Sequence, residues 1–529
     1  MGAVSDGRRT WSPHVPLLIF FFLASLYMLT MTGDPSTSMG VSVYETAESL
    51  IEEGDFALEK PTLETGVGKD GRYYIYEGLA LVLVVALFYF IGDVLGADTV
   101  KFVWLTNQIL TAVACLLLYL IGRELRYSRK TSLLLALVYG IGTMAWVHSR
   151  FLMPEPLTTA VYLAALLFLL RYKSSRKAKW LFLCGCLTGL AIIVRPDAPL
   201  FVVGIFIGVI ALFVSDYRKG KEPIRAVLRE SLVFLAPLLF FFTIYAYYNY
   251  VRFGDVFELG YSTKAQEAAE VRYSTEAHEE AAAATTGGKG HTVRGITDTL
   301  QGFAGMWFIP CRSMFFINPV LIFIFWALRD FWKKFRYELI IMGLIFVLHV
   351  ALYSNRGPGG FAGSSAWGIR YMIPMTSFMV IVMGIFLDKI LKSRKRAFRV
   401  FVLVFVVSAV IQFIGVSQPI QYTQMMLEEE YNTPEDEWAA RRMMTMDPRW
   451  NLITQNTKLL LRGKTTDLMY YWYVFMLPGD VPGWVSGSLI VLVLILLASG
   501  YLLFKPLVIQ AREPERGDTL KRKKKRRRM

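Results

Sequence analysis

Residues 102–122 read FVWLTNQILTAVACLLLYLIG, and residues 123–130 follow as RELRYSRK. The first stretch holds no Asp, Glu, Lys or Arg; the second holds four basic residues and one acidic. A helix of about 20 apolar residues crosses the ~30 Å hydrocarbon layer, and short Lys/Arg-rich loops stay on the cytoplasmic side. The pair of stretches therefore predicts a membrane span that ends in the cytoplasm. The same alternation runs outward in both directions. Residues 15–32, 232–250, 371–387 and 401–416 are apolar and almost free of charge, while 171–179, 216–229, 329–336, 389–399 and 505–528 are net basic.

Composition agrees with this reading. Of 529 residues, 54% are hydrophobic and only 19% charged, whereas soluble domains carry roughly 25% charged residues. A soluble globular enzyme is excluded. The formal charge of +15 does not indicate nucleic-acid binding, because the basic residues sit in short loops and in the tail 521–528, where they suit anionic lipid headgroups. Cys115, Cys184 and Cys186 fall within apolar runs and Cys311 stands alone, so neither a disulfide framework nor a zinc site follows. The first run has no small-residue cleavage site behind it and reads as a retained span.

The basic loops place both termini in the cytoplasm. The remaining loops are long and acidic: residues 33–77 hold ten Asp or Glu against three Lys or Arg, and 417–484 hold nine against six. An even number of crossings must separate the N-terminus from the 123–130 loop, yet three apolar segments lie between them. Residues 78–91 form the shortest, of re-entrant or interfacial length. Residues 78–95 are thus expected to lie along or dip into the outer surface, leaving twelve crossings. Residues 265–290 read as a loop with some helix, and part of 419–483, with Trp438, Trp450 and Tyr470–Trp472, is expected to fold against the membrane.

Charged groups at span ends are costly unless paired or used, and four places on the outer side carry them. Asp34 follows the first span, ahead of Pro35. Asp at N-cap with Pro at N1 is an ordinary helix start, and the amphipathic pattern of residues 41–53 supplies a helix to cap. Residues 68–77 (GKDGRYYIYE) form a Gly-flanked turn with Lys69, Arg72, Tyr73 and Tyr76; it suits either an interfacial aromatic belt or a phosphate headgroup. Residues 149–157 (SRFLMPEPL) place Arg150 and Glu155 in one hairpin, where they could simply pair. Residues 359–371 lead through glycines to Trp367, Arg370 and Tyr371, and Arg370 could be a snorkelling anchor.

In this order, the motifs resemble the GT-C superfamily, specifically the family 39-like glycosyltransferases that use polyprenyl-phosphate sugars, among them protein O-mannosyltransferases and the lipid A aminoarabinose transferase. The matching features are the Asp after span one, the Tyr-rich turn and the Gly-Arg-Glu-Leu corner at 122–125. They continue with the Ser-Arg…Pro-Glu-Pro-Leu hairpin, Tyr-Asn-x-x-Arg-Phe-Gly at 248–254 and Trp-Gly-x-Arg-Tyr at 367–371. Pro35 stands where the family commonly has a second acid, and Glu155 where it often has Asp.

The resemblance implies an all-α polytopic GT-C-type bundle of about 12 transmembrane helices plus outer juxtamembrane helices. Residues 1–417 would form the catalytic region with its outer loop 33–101, 418–484 an extracytoplasmic loop, 485–504 the last span and 505–529 a basic cytoplasmic tail. It implies transfer of a sugar from a polyprenyl (dolichyl-type) phosphate donor to a glycan, lipid-linked or protein hydroxyl on the outer face, with inversion. Asp34 takes the role of general base and Glu155 that of supporting carboxylate. Arg370 is the first choice for the donor phosphate, followed by Lys69, Arg72 and Arg150, since a guanidinium grips phosphate bidentately. Tyr73, Tyr76, Trp367 and Tyr371 are the substrate-binding candidates. Asp34 and Glu155 could share a divalent metal, although no ligand spacing demands one. A polytopic transporter, or a glycan polymerase or ligase using lipid pyrophosphate, is the alternative; transporters often carry paired repeats, and none is visible here.

Overall fold

The computed structural model describes residues 14–32, 37–62, 64–220, 223–260, 295–363, 366–393, 395–418, 423, 437–462, 468–471, 473 and 482–526. Asp34, the 265–290 stretch, Trp472 and the side chain of Trp438 lie outside the described residues. The chain is a multi-pass, all-α membrane protein. Eight helical segments are long and apolar enough to cross a bilayer: α4 (Thr99–Glu124), α7 (Pro154–Ser175), α9 (Pro199–Arg218), α10 (Ile224–Phe253), α14 (Arg336–Ser354), Arg370–Lys392, α16 (Lys395–Ser417) and Gly483–Lys505. The sixth contains α15 (Ile373–Ser393), and the last is the first half of α20 (Gly483–Arg526). Shorter apolar helices are α1 (His14–Leu29), α3 (Leu79–Val94) and α8 (Ala178–Val194). The other helices are α5 (Arg129–Gly142), α11 (Ile296–Trp307) and a run broken at Asn318, comprising α12 (Met314–Ile317), a 3-10 turn (Pro319–Phe323) and α13 (Ile324–Lys334).

Burial separates centre from rim. In α7 72% of the apolar window is buried and in Arg370–Lys392 78%, against 11% in α10 and 17% in Gly483–Lys505. The first pair forms the core of the bundle and the second faces lipid. At the end of the basic loops, Lys173 pairs with Glu338 at 2.7 Å and Arg176 with Asp216 at 2.6 Å. The Asp388 carboxylate there accepts from the Thr131 hydroxyl at 2.8 Å, joining α15 to α5.

The opposite end carries the juxtamembrane elements. Helix α2 (Ser38–Glu52) begins with Thr37 as its N-cap, the hydroxyl accepting from Gly40 N at 3.0 Å. The helix thus has its own cap in Thr37, and whether Asp34 caps a turn before it lies outside the described residues. Helix α3 packs on α2, α4 and α8. It leaves Leu83, Leu87, Phe90 and Val94 exposed, a stripe at helical spacing that suits lipid contact. Strands β1 (Thr65–Val67) and β2 (Tyr73–Ile75) pair antiparallel, Thr65 opposite Ile75. Arg252 holds this hairpin against the end of α10: Nη1 donates to Ile75 O at 2.6 Å and Nη2 to Asn249 Oδ1 at 2.8 Å, with the guanidinium 3.7 Å from the Tyr248 ring centroid. Gly254, at φ +80°, closes α10 in the left-handed conformation, which glycine adopts without steric cost. The 248–254 motif is thus a latch between the 65–75 hairpin and the bundle.

Between α16 and α20, α17 (Glu437–Met446), α18 (Leu452–Leu461) and α19 (Met469–Tyr471) are described. Trp450 is fully buried, and Asn451 donates to Pro310 O at 3.0 Å, so this part folds onto the bundle.

Candidate active site

The site starts from a strained economy of space in the hairpin between α6 (Ala145–His148) and α7. Asn107 of α4 donates through Nδ2 to Met153 O at 2.9 Å and also to Phe151 O, holding the loop close. Met153 is extended, Pro154 opens α7, and Glu155 sits in its first turn. A carboxylate is favoured at that end of the helix dipole, but Glu155 is only 1% exposed, and a buried charge needs partners.

The partners come from two other places. Helix α8 stops at Val194, where Arg195 turns extended ahead of Pro196. Arg195 Nη1 donates to Glu155 Oε1 at 2.8 Å, Nε to Asp197 Oδ1 at 3.0 Å and Nη2 to the Tyr353 hydroxyl at 3.2 Å. The Tyr353 hydroxyl itself donates to Asp197. Burial would raise the Asp197 carboxyl, but the Arg195 charge, with His349 and Tyr353, holds it below the usual carboxylate range. Arg370, at the start of the Arg370–Lys392 segment, brings Nε within 3.8 Å of Glu155 Oε1. Its backbone N donates to Ala362 O at 3.3 Å. Gly363 sits at φ +82°, and a Cβ there would stand 2.8 Å from Arg370 Nε. Both facts require glycine at that position, as the Gly-rich stretch suggested.

Tyr371 and Tyr353 stack with centroids 4.5 Å apart and planes 4° apart. Arg356 Nη1 donates to the Tyr371 hydroxyl at 3.0 Å and Arg370 Nη2 reaches it at 3.5 Å. Arg195 lies 5.6 Å from the centre of the same ring. Three guanidiniums thus surround one phenol. Arg195 and Arg370 share carboxylates, whereas Arg356 makes no ion pair among the described residues.

Glu77 completes the cluster. It directly precedes Gly78, where a Cβ would collide with the carbonyl oxygens of Ile193 and Val194. The absence of a side chain lets the Tyr-rich turn press against the end of α8 beside Arg195. Burial first, then the nearby Glu64 and Glu155, push the Glu77 carboxyl up to about 7, with Arg195 and Arg370 opposing. A carboxyl half-ionised near neutrality is suited to accept a proton.

The predicted residues divide clearly. Glu155, Arg370 and Tyr371 are brought together. Arg150 is fully buried beside them in sequence, but its Nη1 points to Gly415 O at 3.5 Å, and Glu155 pairs with Arg195 instead. Trp367 is fully buried, donates to Gln412 Oε1 at 3.2 Å and packs on Gly415. Lys69 and Arg72 are engaged at the hairpin tip, Lys69 Nζ with Tyr250 O at 3.2 Å and Arg72 with Asp70 at 2.9 Å and with Asp55. Tyr73 is buried in β2, and the Tyr76 hydroxyl donates to Thr65 O. Sequence reasoning passed over Arg195, Asp197, Glu77, Tyr353 and Arg356. The signal available for the first two was an Arg and an Asp in a turn of four residues between apolar helices.

Glu155 Oε2, His148 Nε2 and Asn107 Oδ1 are among the buried acceptors with no hydrogen-bond partner among the described residues. A metal would need more: no group of three or more His, Cys, Asp or Glu that could hold an ion occurs among the described residues.

The sequence family described as dolichyl-phosphate-mannose-protein mannosyltransferase matches residues 77–247. No curated protein matches the chain. Among solved structures, it is similar to the Archaeoglobus fulgidus oligosaccharyltransferase tethered with an acceptor peptide, at 16% identity and a TM-score of 0.46, over 82% of this chain and 59% of that one. It is also similar to ArnT from Cupriavidus metallidurans bound to undecaprenyl phosphate (13% identity, TM-score 0.39, 85% of this chain and 77% of that one). A third is the arabinosyltransferase EmbB from Mycobacterium smegmatis (14% identity, TM-score 0.35, 84% and 43%). The chain spans about three fifths of the length of the archaeal oligosaccharyltransferase.

Proposed function

We propose that the chain is an integral membrane glycosyltransferase that moves a sugar from a polyprenyl (dolichyl-type) phosphate to an acceptor hydroxyl, at the extracytoplasmic end of the bundle. The observation that carries this reading is the buried junction of Glu155, Arg195, Arg370 and Tyr371, with Arg356 at its edge. The family match supports it, since residues 77–247 contain Glu77, Glu155, Arg195 and Asp197.

The chemistry divides between anion and proton. When the acceptor oxygen bonds to the anomeric carbon, the bond from that carbon to the phosphate oxygen breaks with inversion, and charge gathers on the lipid phosphate. Arg356, Arg370 and the Tyr371 hydroxyl are donors already gathered for that charge, in a region from which most water is excluded. Glu155 and Asp197 orient the guanidiniums and offset their mutual repulsion. The acceptor proton goes to a carboxylate, with Asp34 as first choice and Glu77 as second. A cavity of about 380 Å³ supports the lipid half of the donor. Its walls include Leu339, Met342, Gly343 and Phe346 of α14, the helix that carries Tyr353 at its far end.

The test is direct. Membranes containing the chain receive a short-chain polyprenyl-phosphate mannose with a radiolabelled sugar. Release or transfer of the label is compared with membranes carrying Glu155→Gln. Label movement that is abolished in the variant is expected; no movement with any polyprenyl-phosphate sugar would overturn the reading.

A further inference from the structure

A second cavity, of about 640 Å³, lies on the other side of α4 from the charged junction. Trp104 and Asn107 of α4 face inward, whereas Lys101, Phe102 and Leu105 line this cleft. Its walls also include Met28 near the end of α1, Met31 just beyond it, and Val491 and Leu492 from α20. Helices α1 and α20 touch midway along α1, where the Phe22 and Phe504 rings are 5.9 Å apart and Gly500 allows close approach to Phe22. Near the α1 C-terminus they separate, and the space between them is the cleft.

The mouth differs from the walls. Lys101 Nζ pairs with Asp98 and lies 5.3 Å from the centre of the Trp484 ring. The Tyr470 hydroxyl is 3.0 Å from Ser488 Oγ, and Met469 N donates to Met31 O at 2.9 Å, which closes the cleft above. An ammonium, a Trp and a Tyr at one level, above apolar walls, is the arrangement found at the headgroup level of a bilayer. The volume falls within the range of ligand-sized sites. An ammonium has three donors; Asp98 takes one and the Tyr473 side chain another, so the third is the one a phosphate oxygen would take.

We propose that this cleft is a binding site for a phosphodiester lipid of the membrane, its phosphate at Lys101 and one acyl chain between α4 and α20. The inference rests on the membrane reading of the fold, not on transferase activity. The apolar walls select a chain over a soluble phosphate, and the lysine selects a phosphate over an uncharged headgroup.

The experiment places the full chain in nanodiscs. Trace phosphatidylglycerol with a diazirine on its acyl chain is compared with diacylglycerol carrying the same label. Cross-links are mapped by mass spectrometry. Phosphatidylglycerol is expected to label residues 101–105 and 484–492 in preference to the lipid-facing helix α10, and to exceed diacylglycerol there by about fivefold, the weight of one lysine at a lipid surface. Lys101→Gln, at a partly exposed position, should abolish the preference for phosphate without changing the packing. Leu105→Trp and Val491→Trp, from opposite walls, should each reduce the labelling of the cleft. Uniform labelling of all lipid-facing helices, or equal labelling by diacylglycerol, would overturn the proposal.

Discussion

Arg195 and Glu155, forty residues apart in the chain, meet at 2.8 Å with side chains 9% and 1% exposed. They join the end of α8 to the first turn of α7. A buried pair of this kind adds little net stability over an apolar substitute, but removal of one member leaves a charge in low dielectric, at a cost of about 3–5 kcal/mol. Arg195→Ala is expected to lower the stability of the detergent-solubilised protein by that order, because Glu155 keeps only the 3.8 Å contact to Arg370 and Asp197 loses its main partner. Arg195→Met with Glu155→Leu should recover only part of the loss, because Asp197 stays without its guanidinium and Arg370 without its carboxylate. Thermal unfolding of the three variants measures this; an Arg195→Ala protein that melts like wild type would mean that the pair does not form.

The two arginines at the Tyr371 hydroxyl form the proposed anion site. Arg370→Lys removes the fork geometry and should not restore donor binding. Charged hydrogen bonds are worth about 1.5–3 kcal/mol, so Arg356→Ala and Arg370→Ala should each weaken affinity for a fluorescent polyprenyl phosphate roughly ten- to hundredfold. Arg356→Ala is the cleaner probe, since Arg356 makes no ion pair among the described residues and its loss strands no carboxylate. Unchanged affinity in both variants would move the phosphate to Lys69, Arg72 or Arg150.

The bundle was legible because a span must be apolar along about 20 residues, a signal that neighbouring segments cannot conceal. Residues 102–122 became Thr99–Glu124 and residues 401–416 became Lys395–Ser417, with charged ends that the apolar runs alone do not show. Residues 78–95 hold the helix Leu79–Val94, whose 16 residues equal those of His14–Leu29, so its length alone does not decide whether it crosses. The site was only half legible. Glu155 and Arg370 stood out because charge at a span mouth is rare. Their partners did not, since a meeting of Arg195 with Glu155, or of Arg356 with Tyr371, depends on how helices pack. Helix α2 has its cap in Thr37, whose hydroxyl reaches Gly40 N, while Asp34 lies outside the described residues.

Sidedness is open to a simple measurement. Asp70 and Asp98 lie at the end that carries the junction, and Lys177 at the end of the basic loops. Cys115, Cys184 and Cys311 are buried and Cys186 is partly so, which gives a low labelling background. Single cysteines at 70 and 98 should react with an impermeant maleimide from outside intact cells, and one at 177 only after lysis. Labelling of 98 from the cytoplasm alone would break the topology.

Glu77 predicts a pH dependence. Its carboxyl is pushed from 4.5 up to about 7 by burial, so the folded state binds its proton more tightly than the unfolded chain does. That contribution to stability is fully present below pH 4.5 and is lost as the pH rises through about 7. Glu77→Gln lacks the term. Relative to wild type, the variant should gain stability between those limits, by roughly 3 kcal/mol at 1.36 kcal/mol per pKa unit. Unfolding at pH 5 and pH 8 checks it; a difference between variant and wild type that does not grow with pH would show that Glu77 titrates normally.

Asp34 is the residue whose two readings separate most sharply. Asn caps a helix about as well as Asp, and helix α2 is capped by Thr37 in any case, so Asp34→Asn should leave folding and donor affinity close to wild type. As a general base the amide is useless, because it takes no proton at working pH. General acid–base catalysis contributes about 10²–10⁴-fold, and the transfer rate should fall by at least the lower figure. Asp34→Glu should keep part of the rate at best, since one added methylene displaces the carboxylate from its productive position. Glu77→Gln supplies the comparison. If Asp34 is the base, the variant at 77 keeps the greater share of the rate; if Glu77 is the base, the order reverses and the rise in rate near pH 7 disappears with it. An Asp34→Asn enzyme that transfers sugar at the wild-type rate removes Asp34 from the chemistry and leaves Glu77 and Glu155 as the carboxylates to test.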